Sequence, residues 1–271
     1  MAVSSYPFAT YFLRVLLVAA AASLAACHPL RTTARSADGD WQPSRQLVLV
    51  TIDNWNADHG VLRAYARVGD AGWHAVGPAQ PVTIGKAGAA WGLGLHALQT
   101  EGPHKREGDN RSPAGAFRIG AAFGYAARAD TALPYRAMTA ADYCVDVSGS
   151  PQYNRIVDAN VVGAAAVQGS TEPMRRDLHV DGDQRYRLGF VIEHNVQAVP
   201  HGGSCIFAHL WKSSTDPTAG CTAMPPAAMQ TLLAWLRPEQ KPVFVLLPQA
   251  EYERLRTAWH LPALDYAEIA R

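Results

Sequence analysis

Residues 203–225 read GSCIFAHLWKSSTDPTAGCTAMP and contain the pattern on which the fold prediction rests. A short apolar run delivers His209 at its end, a polar loop follows, and a Gly220–Cys221 step comes just before a helix signal. The helix signal is a pair of prolines, which are tolerated in the first turn of a helix because the missing N–H has no partner there. The stretch therefore predicts a strand, a loop and a helix in that order.

Similar apolar runs recur along the chain, separated by Gly, Pro and polar turn residues. Their short length and β-branched content favour strands over helices. Helix signals are few and no internal repeat is visible. The pattern thus predicts a mostly β fold, a sandwich or barrel, with a few peripheral helices. The predicted strands cover residues 47–52, 81–84, 116–119, 189–192, 205–208 and 242–247.

Three helices are predicted. The clearest begins at the two prolines and carries apolar residues at helical spacing from Met229 to Leu236, before Pro238. A second covers about residues 249–259. A third, short helix is expected to enter Cys144, because Thr139 followed three residues later by an acid resembles a helix cap.

Cys221 is a candidate nucleophile. A thiol attacks as its thiolate, and three neighbouring features favour that form. His209 can accept the proton, the following helix offers the positive end of its dipole, and Gly220 lets main-chain N–H groups approach a developing oxyanion. The same residues also fit a buried structural cysteine and a packed histidine, since cysteine is among the most buried residue types. The residues alone leave both interpretations open.

The arrangement resembles the L,D-transpeptidase catalytic domain, the YkuD domain. That family has a histidine, a loop and then Ser/Thr-x-Gly-Cys, and the matching positions here are His209, Thr218, Gly220 and Cys221. Residues 105–117, KREGDNRSPAGAF, resemble the family's upstream K-x-G-D-x-x-T-P-x-G-x-F segment. The likeness runs from residue 46 to about 262. It extends to a subgroup with G-S-x-I-F-x-H and T-A-G-C motifs, which Tyr153–Asn154 and His194–Asn195 also fit.

The resemblance implies a YkuD fold and an acyltransferase that acts on peptidoglycan stem peptides through a thioester. Cys221 would be the nucleophile that attacks a diaminopimelate carbonyl, and His209 the general base and acid. Gly220 and Thr218 would shape the oxyanion hole and its loop. The resemblance further implies that no cofactor is needed and that carbapenem-type β-lactams are covalent inhibitors.

Two departures leave the fate of the thioester open. Many transpeptidases have a histidine and an asparagine where this chain has Ala219 and Ala223. The primary prediction is transfer to an amine of a second stem peptide. The alternatives are an L,D-carboxypeptidase or other amide hydrolase on the same fold, and an inactive wall-binding lipoprotein.

Four further side chains are candidates for substrate binding. Trp211 follows His209 in the loop and is expected to help wall the pocket. Lys105 is expected to hold a substrate carboxylate, against the alternative of a solvated charged loop. Tyr153 and Asn195 join them as members of the subgroup motifs.

The N-terminus predicts export. Residues 1–26 contain an apolar core that ends in small residues just before Cys27. Residues Leu24–Cys27 resemble a bacterial lipobox. We therefore expect acylation at Cys27 and a periplasmic protein held by its lipid, at the outer membrane. The n-region carries only Arg14, so an ordinary signal peptidase site or an uncleaved anchor stays open. Residues 28–45 are predicted as a tether, 46–248 as the catalytic domain and 249–271 as a helical extension.

The remaining cysteines and the charge narrow the chemistry. With Cys27 lipidated and Cys221 catalytic, Cys144 and Cys205 can form a disulfide, the alternative being two buried thiols. Net charge is +1 with 17% charged residues, which argues against nucleic acid and against any membrane contact beyond the anchor. No metal is expected, because His179, His201 and the acids of residues 181–183 lack a ligand motif and 181–183 read as a hairpin turn.

Overall fold

The computed structural model describes Trp41, residues 43–69 and residues 71–264. The predicted signal segment, Cys27 and most of the predicted tether lie outside the described residues. The strands are β1 Gln46–Ile52, β2 His59–Arg67, β3 Trp73–Thr83, β4 Ala89–Trp91, β5 Ser112–Gly124, β6 Tyr135–Ala137, β7 Asp142–Cys144, β8 Ile156–Asp158, β9 Glu172–Pro173, β10 Leu188–Ile192, β11 Phe207–Leu210, β12 Thr222–Met224 and β13 Val243–Pro248. The α-helices are α1 Ala159–Val162, α2 Arg176–His179, α3 Pro226–Trp235 and α4 Gln249–Leu255, and 3₁₀ turns cover Ala164–Val167, Arg185–Arg187 and Pro238–Gln240.

Eight strands close into a barrel. Their order is β10, β11, β12, β3, β2, β1, β13 and β5, and β5 pairs back with β10 to complete the circle. Closure leaves these strands without a free edge, so their main-chain groups are paired around the ring. The prediction of a mostly β fold with few helices is confirmed, and the barrel is the form it takes.

Two helices pack against the barrel strands. Helix α3 contacts β10 and β11, and α4 contacts β1 and β13. Six of the seven residues of β1 and all six of β13 are buried, because these strands face the barrel interior on one side and α4 on the other. In the described part of the chain, no helix combines the length and apolarity needed to cross a bilayer.

An aromatic cluster attaches the segment after α4 to the barrel. The Trp259 ring lies 5.0 Å from Trp41, 5.4 Å from His96 and 6.5 Å from Trp91, measured between ring centroids. Trp259 is 2% exposed. The predicted second helix therefore ends earlier than expected, at Leu255, and the chain continues in turns that place this indole in the core.

The apolar runs all fall in strands, with two instructive differences. Strand β11 begins two residues after its predicted start, because Cys205 has a φ of 56° and cannot continue a strand. Strand β2 was not predicted at all, since the buried Arg63 interrupts its apolar pattern.

Two local predictions were wrong. The segment entering Cys144 is strand β7 rather than a helix, because the Asp142 carboxylate accepts from the Thr139 N–H and hydroxyl within a turn and β7 then pairs with β8 and β9. Residues 181–183 form a turn between α2 and a 3₁₀ turn, not a β-hairpin. Asp183 there accepts hydrogen bonds from Arg176 and Arg185, which hold the turn in place of strand pairing.

Residues 139–187, here called the inserted segment, lie between β6 and β10 in the chain. They contain the three-stranded sheet β8–β7–β9 and both short helices α1 and α2. The inserted segment joins the barrel through the Cys144–Cys205 disulfide and through the ring of Tyr186, whose centroid lies 5.1 Å from that of His209. It therefore meets the barrel at the residues singled out for chemistry.

Replacement of Trp259 by alanine should lower the free energy of unfolding by about 3–5 kcal/mol, because it opens a cavity in the aromatic cluster. Denaturant titration followed by circular dichroism measures the change. Leu98→Ala is the control, since Leu98 is 76% exposed and its loss should cost less than about 0.5 kcal/mol. Equal effects of the two substitutions would contradict the proposed anchoring.

Candidate active site

Two neighbouring parallel strands bring His209 and Cys221 to the same place. His209 lies in β11, which pairs in parallel with β12, and its register partner is Ala223. Cys221 immediately precedes β12. The loop between the strands is held by main-chain hydrogen bonds to the end of β3, with Thr218 N–H donating to Ile84 O at 2.7 Å and Lys86 N–H donating to Thr218 O at 2.8 Å. Residues that are twelve positions apart in the sequence therefore lie on neighbouring strands.

The main chain of the nucleophile is fixed by two hydroxyl groups. Cys221 O accepts from Thr218 Oγ1 at 2.6 Å and from Ser112 Oγ at 3.0 Å. Ser112 also accepts from Gly85 N–H, so it connects β5 to the loop. Ser112 lies in the upstream motif, yet its role was not predicted, because the motif alone does not show which side chain it meets.

The structural role of Gly220 differs from the predicted one. Its φ of 152° favours glycine. A Cβ atom added at this position would lie only 3.1 Å from Arg111 O, which also favours glycine. Its N–H, however, donates to Thr218 Oγ1 at 3.0 Å. Gly220 therefore allows the turn into Cys221, while its own N–H is occupied by Thr218 and is not free for an oxyanion.

The Cys221 thiol is held inside the protein. Its residue is 8% exposed, its Sγ accepts from the Phe207 N–H at 3.3 Å, and the S–H points to Cys205 O at 3.5 Å. Burial, and next the charge of Glu172, raise the pKa of Cys221 to about 12. Both effects favour the neutral thiol of Cys221 in the free protein.

His209 is a neutral base beside it. Its Nδ1 donates to Leu210 O at 2.8 Å, so Nε2 is the nitrogen available to take a proton. Burial lowers the pKa of His209 to about 4. No hydrogen bond joins the Cys221 and His209 side chains among the described residues, but both line one cavity of about 390 Å³. The resting pair is neutral, and proton transfer must accompany attack.

Disulfide Cys144–Cys205 fixes the floor of this site. The two Cα atoms are 5.9 Å apart, and the Cys205 N–H donates to Asn154 Oδ1 at 2.9 Å. Cys205 O in turn faces the Cys221 thiol. The structure thus has the disulfide rather than two buried thiols, and the disulfide ties the inserted segment to the residue that contacts the nucleophile.

The four predicted substrate-binding residues separate into different places. Lys105 lines the cavity, but its Nζ is paired with Asp109. Tyr153 and Asn195 are each 2% exposed and lie behind the wall, where Tyr153 donates to Glu107 and the Asn195 amide donates to Val199 O and Gly203 O. Trp211 is not among the cavity-lining residues. The geometry therefore does not support direct substrate contact by Tyr153, Asn195 or Trp211.

Several cavity residues were missed from sequence. Five come from the inserted segment, where no motif marks them, and two lie in the upstream motif and beside Cys205 without a predicted role. They are Asp146, Glu172, Arg176, Arg185, Tyr186, Glu107 and Ser204.

Within the described residues, no group of three His, Cys, Asp or Glu side chains is arranged to hold a metal ion. The residues considered from sequence have other partners, since His179 bonds to Ala140 O and Asp183 pairs with two arginines. The reactive groups of the cavity are thus a thiol, an imidazole and carboxylates.

A buried thiol and a neutral imidazole on the wall of one cavity are the groups that cysteine acyl transfer requires. The family model described as the L,D-transpeptidase catalytic domain, YkuD, matches residues 58–245, well over half of the chain. The chain belongs to the YkuD L,D-transpeptidase family, so the predicted resemblance is confirmed, and its function is of the L,D-transpeptidase type in peptidoglycan metabolism. No curated protein matches the chain.

Alkylation of Cys221 by iodoacetamide should accelerate about tenfold per pH unit between about pH 7 and 10 without levelling off, because the raised pKa keeps the thiolate a minor species. Mass spectrometry of the Cys221 peptide measures the rate, and glutathione is the exposed-thiol control. A plateau near neutral pH would indicate a preformed thiolate–imidazolium pair and contradict the neutral resting state.

Proposed function

We propose that this chain is an L,D-transpeptidase that forms a thioester between Cys221 and a peptidoglycan stem peptide and passes the acyl group to an amine of a second stem peptide. The observation that carries the proposal is the placement of the Cys221 thiol and the His209 imidazole on the wall of one cavity. Family membership supports the substrate class.

In the acylation step, the Cys221 S–H proton moves to His209 Nε2 as sulfur attacks the carbonyl carbon of the donor amide. The tetrahedral intermediate collapses, the C–N bond breaks, and His209 returns the proton to the leaving amine. The Leu210 carbonyl, which accepts from Nδ1, stabilises the imidazolium that exists between the two transfers. The acyl group then remains on Cys221 as a thioester.

In the second step, an amine attacks the thioester carbonyl and gives its proton to His209, and the C–S bond breaks to restore the thiol. Burial of the sulfur limits the access of bulk water, which favours an amine that the cavity binds. Ala219 is exposed at the cavity, whereas Ala223 is buried in β12 away from it. The small side chain at 219 leaves more room in the cavity than a histidine would.

We propose the export and the lipid anchor on the basis of sequence. The apolar core and the small residues before Cys27 support cleavage and acylation there. The Cys144–Cys205 disulfide supports the same address, because such bonds persist in oxidising compartments such as the periplasm.

Incubation with a disaccharide-tetrapeptide, followed by mass analysis of the products, should give crosslinked dimers and release of the terminal residue. Cys221→Ala should give neither product, with a loss of at least about a thousandfold, since the covalent intermediate cannot form. Tripeptide monomers alone would show that water is the acceptor and that the chain is a hydrolase. Binding to sacculi without turnover, unchanged in Cys221→Ala, would indicate a wall-binding protein and contradict both enzymes.

A further inference from the structure

The cavity beside Cys221 has an excess of negative charge. Its wall carries three cations and three carboxylates, but the cations are also paired with two further carboxylates that do not line it. Lys105 pairs with Asp109 at 2.5 Å, and both Arg176 and Arg185 pair with Asp183, at 2.8 Å and 2.5 Å. Three cations therefore face five carboxylates in all. A group that enters this cavity meets a field that favours positive charge.

The three wall carboxylates are held mainly by neutral donors. Glu107 accepts from the hydroxyls of Tyr153 and Ser204, and Asp146 accepts from the hydroxyl and N–H of Thr171. These bonds orient the carboxylates without cancelling their charge. The wall itself is balanced, and the excess of negative charge comes from Asp109 and Asp183, which pair with its cations from behind.

Glu107 and Glu172 each keep one carboxylate oxygen without a hydrogen bond to a described residue, and Glu172 is the one that also contacts Tyr186. Its Oε2 accepts from the Tyr186 hydroxyl at 2.6 Å and lies 3.6 Å from Arg176 Nη1. Its Oε1 has no hydrogen bond to any described residue, and the side chain is 24% exposed at the cavity. One oxygen of Glu172 is therefore open to a donor from the substrate.

Tyr186 connects Glu172 to the reacting groups. Its ring is buried, with its centroid 5.1 Å from that of His209 and 5.5 Å from that of Phe207, whose N–H holds the Cys221 sulfur. Burial is the main cause that raises the pKa of Cys221, and the charge of Glu172 raises it further. The protonation of the nucleophile is thereby coupled to the charge on Glu172.

Other charged groups also face this pair. Arg176 from α2, Arg185 from the following 3₁₀ turn and Asp146 from the loop after β7 act on Glu172, while His209 from β11 is neutral. The two arginines are already paired with Asp183. A ligand therefore alters the charge around Cys221 most by neutralising Glu172 itself.

We propose, resting on the proposed function, that Glu172 binds a primary ammonium group of the peptide substrate and that this pairing removes a negative charge that opposes ionisation of Cys221. The thiol then gives up its proton to His209 in the substrate complex rather than in the free enzyme. Glu172 is a binding residue that also gates the nucleophile, and Tyr186 is a positioning residue that links the two.

The charge coupling is tested on the free protein with Glu172→Gln, which keeps the shape and removes the charge. Alkylation of Cys221 by iodoacetamide at pH 7.5 should be at least about fivefold faster than in the wild type, because a fall of one pKa unit raises the thiolate fraction about tenfold. Glu239→Gln, at an exposed site in a distant 3₁₀ turn, should leave the rate unchanged. An unchanged rate in folded Glu172→Gln, or an equal rise in both variants, would overturn the coupling.

The ammonium specificity is tested on the wild type as well as on the variant. The substrates are a disaccharide-tetrapeptide with a free side-chain amino group and the same compound with that group acetylated. Because acetylation also removes the acceptor amine, the rate to compare is acylation of Cys221, read as release of the terminal residue in a single turnover. The wild type should be acylated faster by the free amine compound by about tenfold or more, and Glu172→Gln should lose most of that preference.

The two possible failures of the substrate test are distinguishable. Equal turnover of both compounds by the wild type would leave the proposed function standing and overturn the inference. Turnover of neither compound would contradict the proposed function itself, and with it the assignment of a substrate ammonium to Glu172.

Discussion

The parallel pairing of β11 with β12 is the constraint on which the site depends. Parallel neighbours need a crossing connection, and here that connection is a loop fastened to the end of β3 through Thr218. The pairing sets His209 beside the strand that Cys221 opens, and the Thr218 and Ser112 hydroxyls fix the Cys221 carbonyl. Closure of the barrel holds both strands in register, so the geometry of the site is inherited from the sheet rather than from a flexible loop.

A second consequence of this placement is a desolvated nucleophile. Burial opposes ionisation of Cys221 and protonation of His209, so neither charge is present before substrate binds. Such burial limits reaction of the thiol before substrate binds, and in the proposed mechanism the substrate completes the electrostatics. The inserted segment supplies Glu172 and Tyr186, which can change the charge around Cys221. The Cys144–Cys205 disulfide holds that segment against Cys205, whose carbonyl contacts the Cys221 thiol.

Local patterns were sufficient for six of the eight barrel strands, for α3 and for the Cys221–His209 pair, because each rests on residues close in sequence or on a motif of fixed spacing. Glu172 and Tyr186 could not be predicted in the same way. Their importance depends on contacts between the inserted segment and β11, which carry no local signal. The helix predicted at Thr139 and Asp142 was wrong for a related reason. The same side-chain hydrogen bonds that cap a helix also close a turn. Gly220 shows the limit of motifs, because its backbone shape was predictable and the partner of its N–H was not.

The central claim is that Cys221 forms the covalent acyl intermediate. Members of this family are covalently inhibited by carbapenems, and the β-lactam carbonyl is an amide that the same thiol can open. Intact-protein and peptide mass spectrometry after incubation with meropenem tests the claim most directly. The account predicts one adduct per chain, located on Cys221 and absent from Cys221→Ala. A folded wild-type protein that gains no adduct, or gains it at another residue, would contradict it.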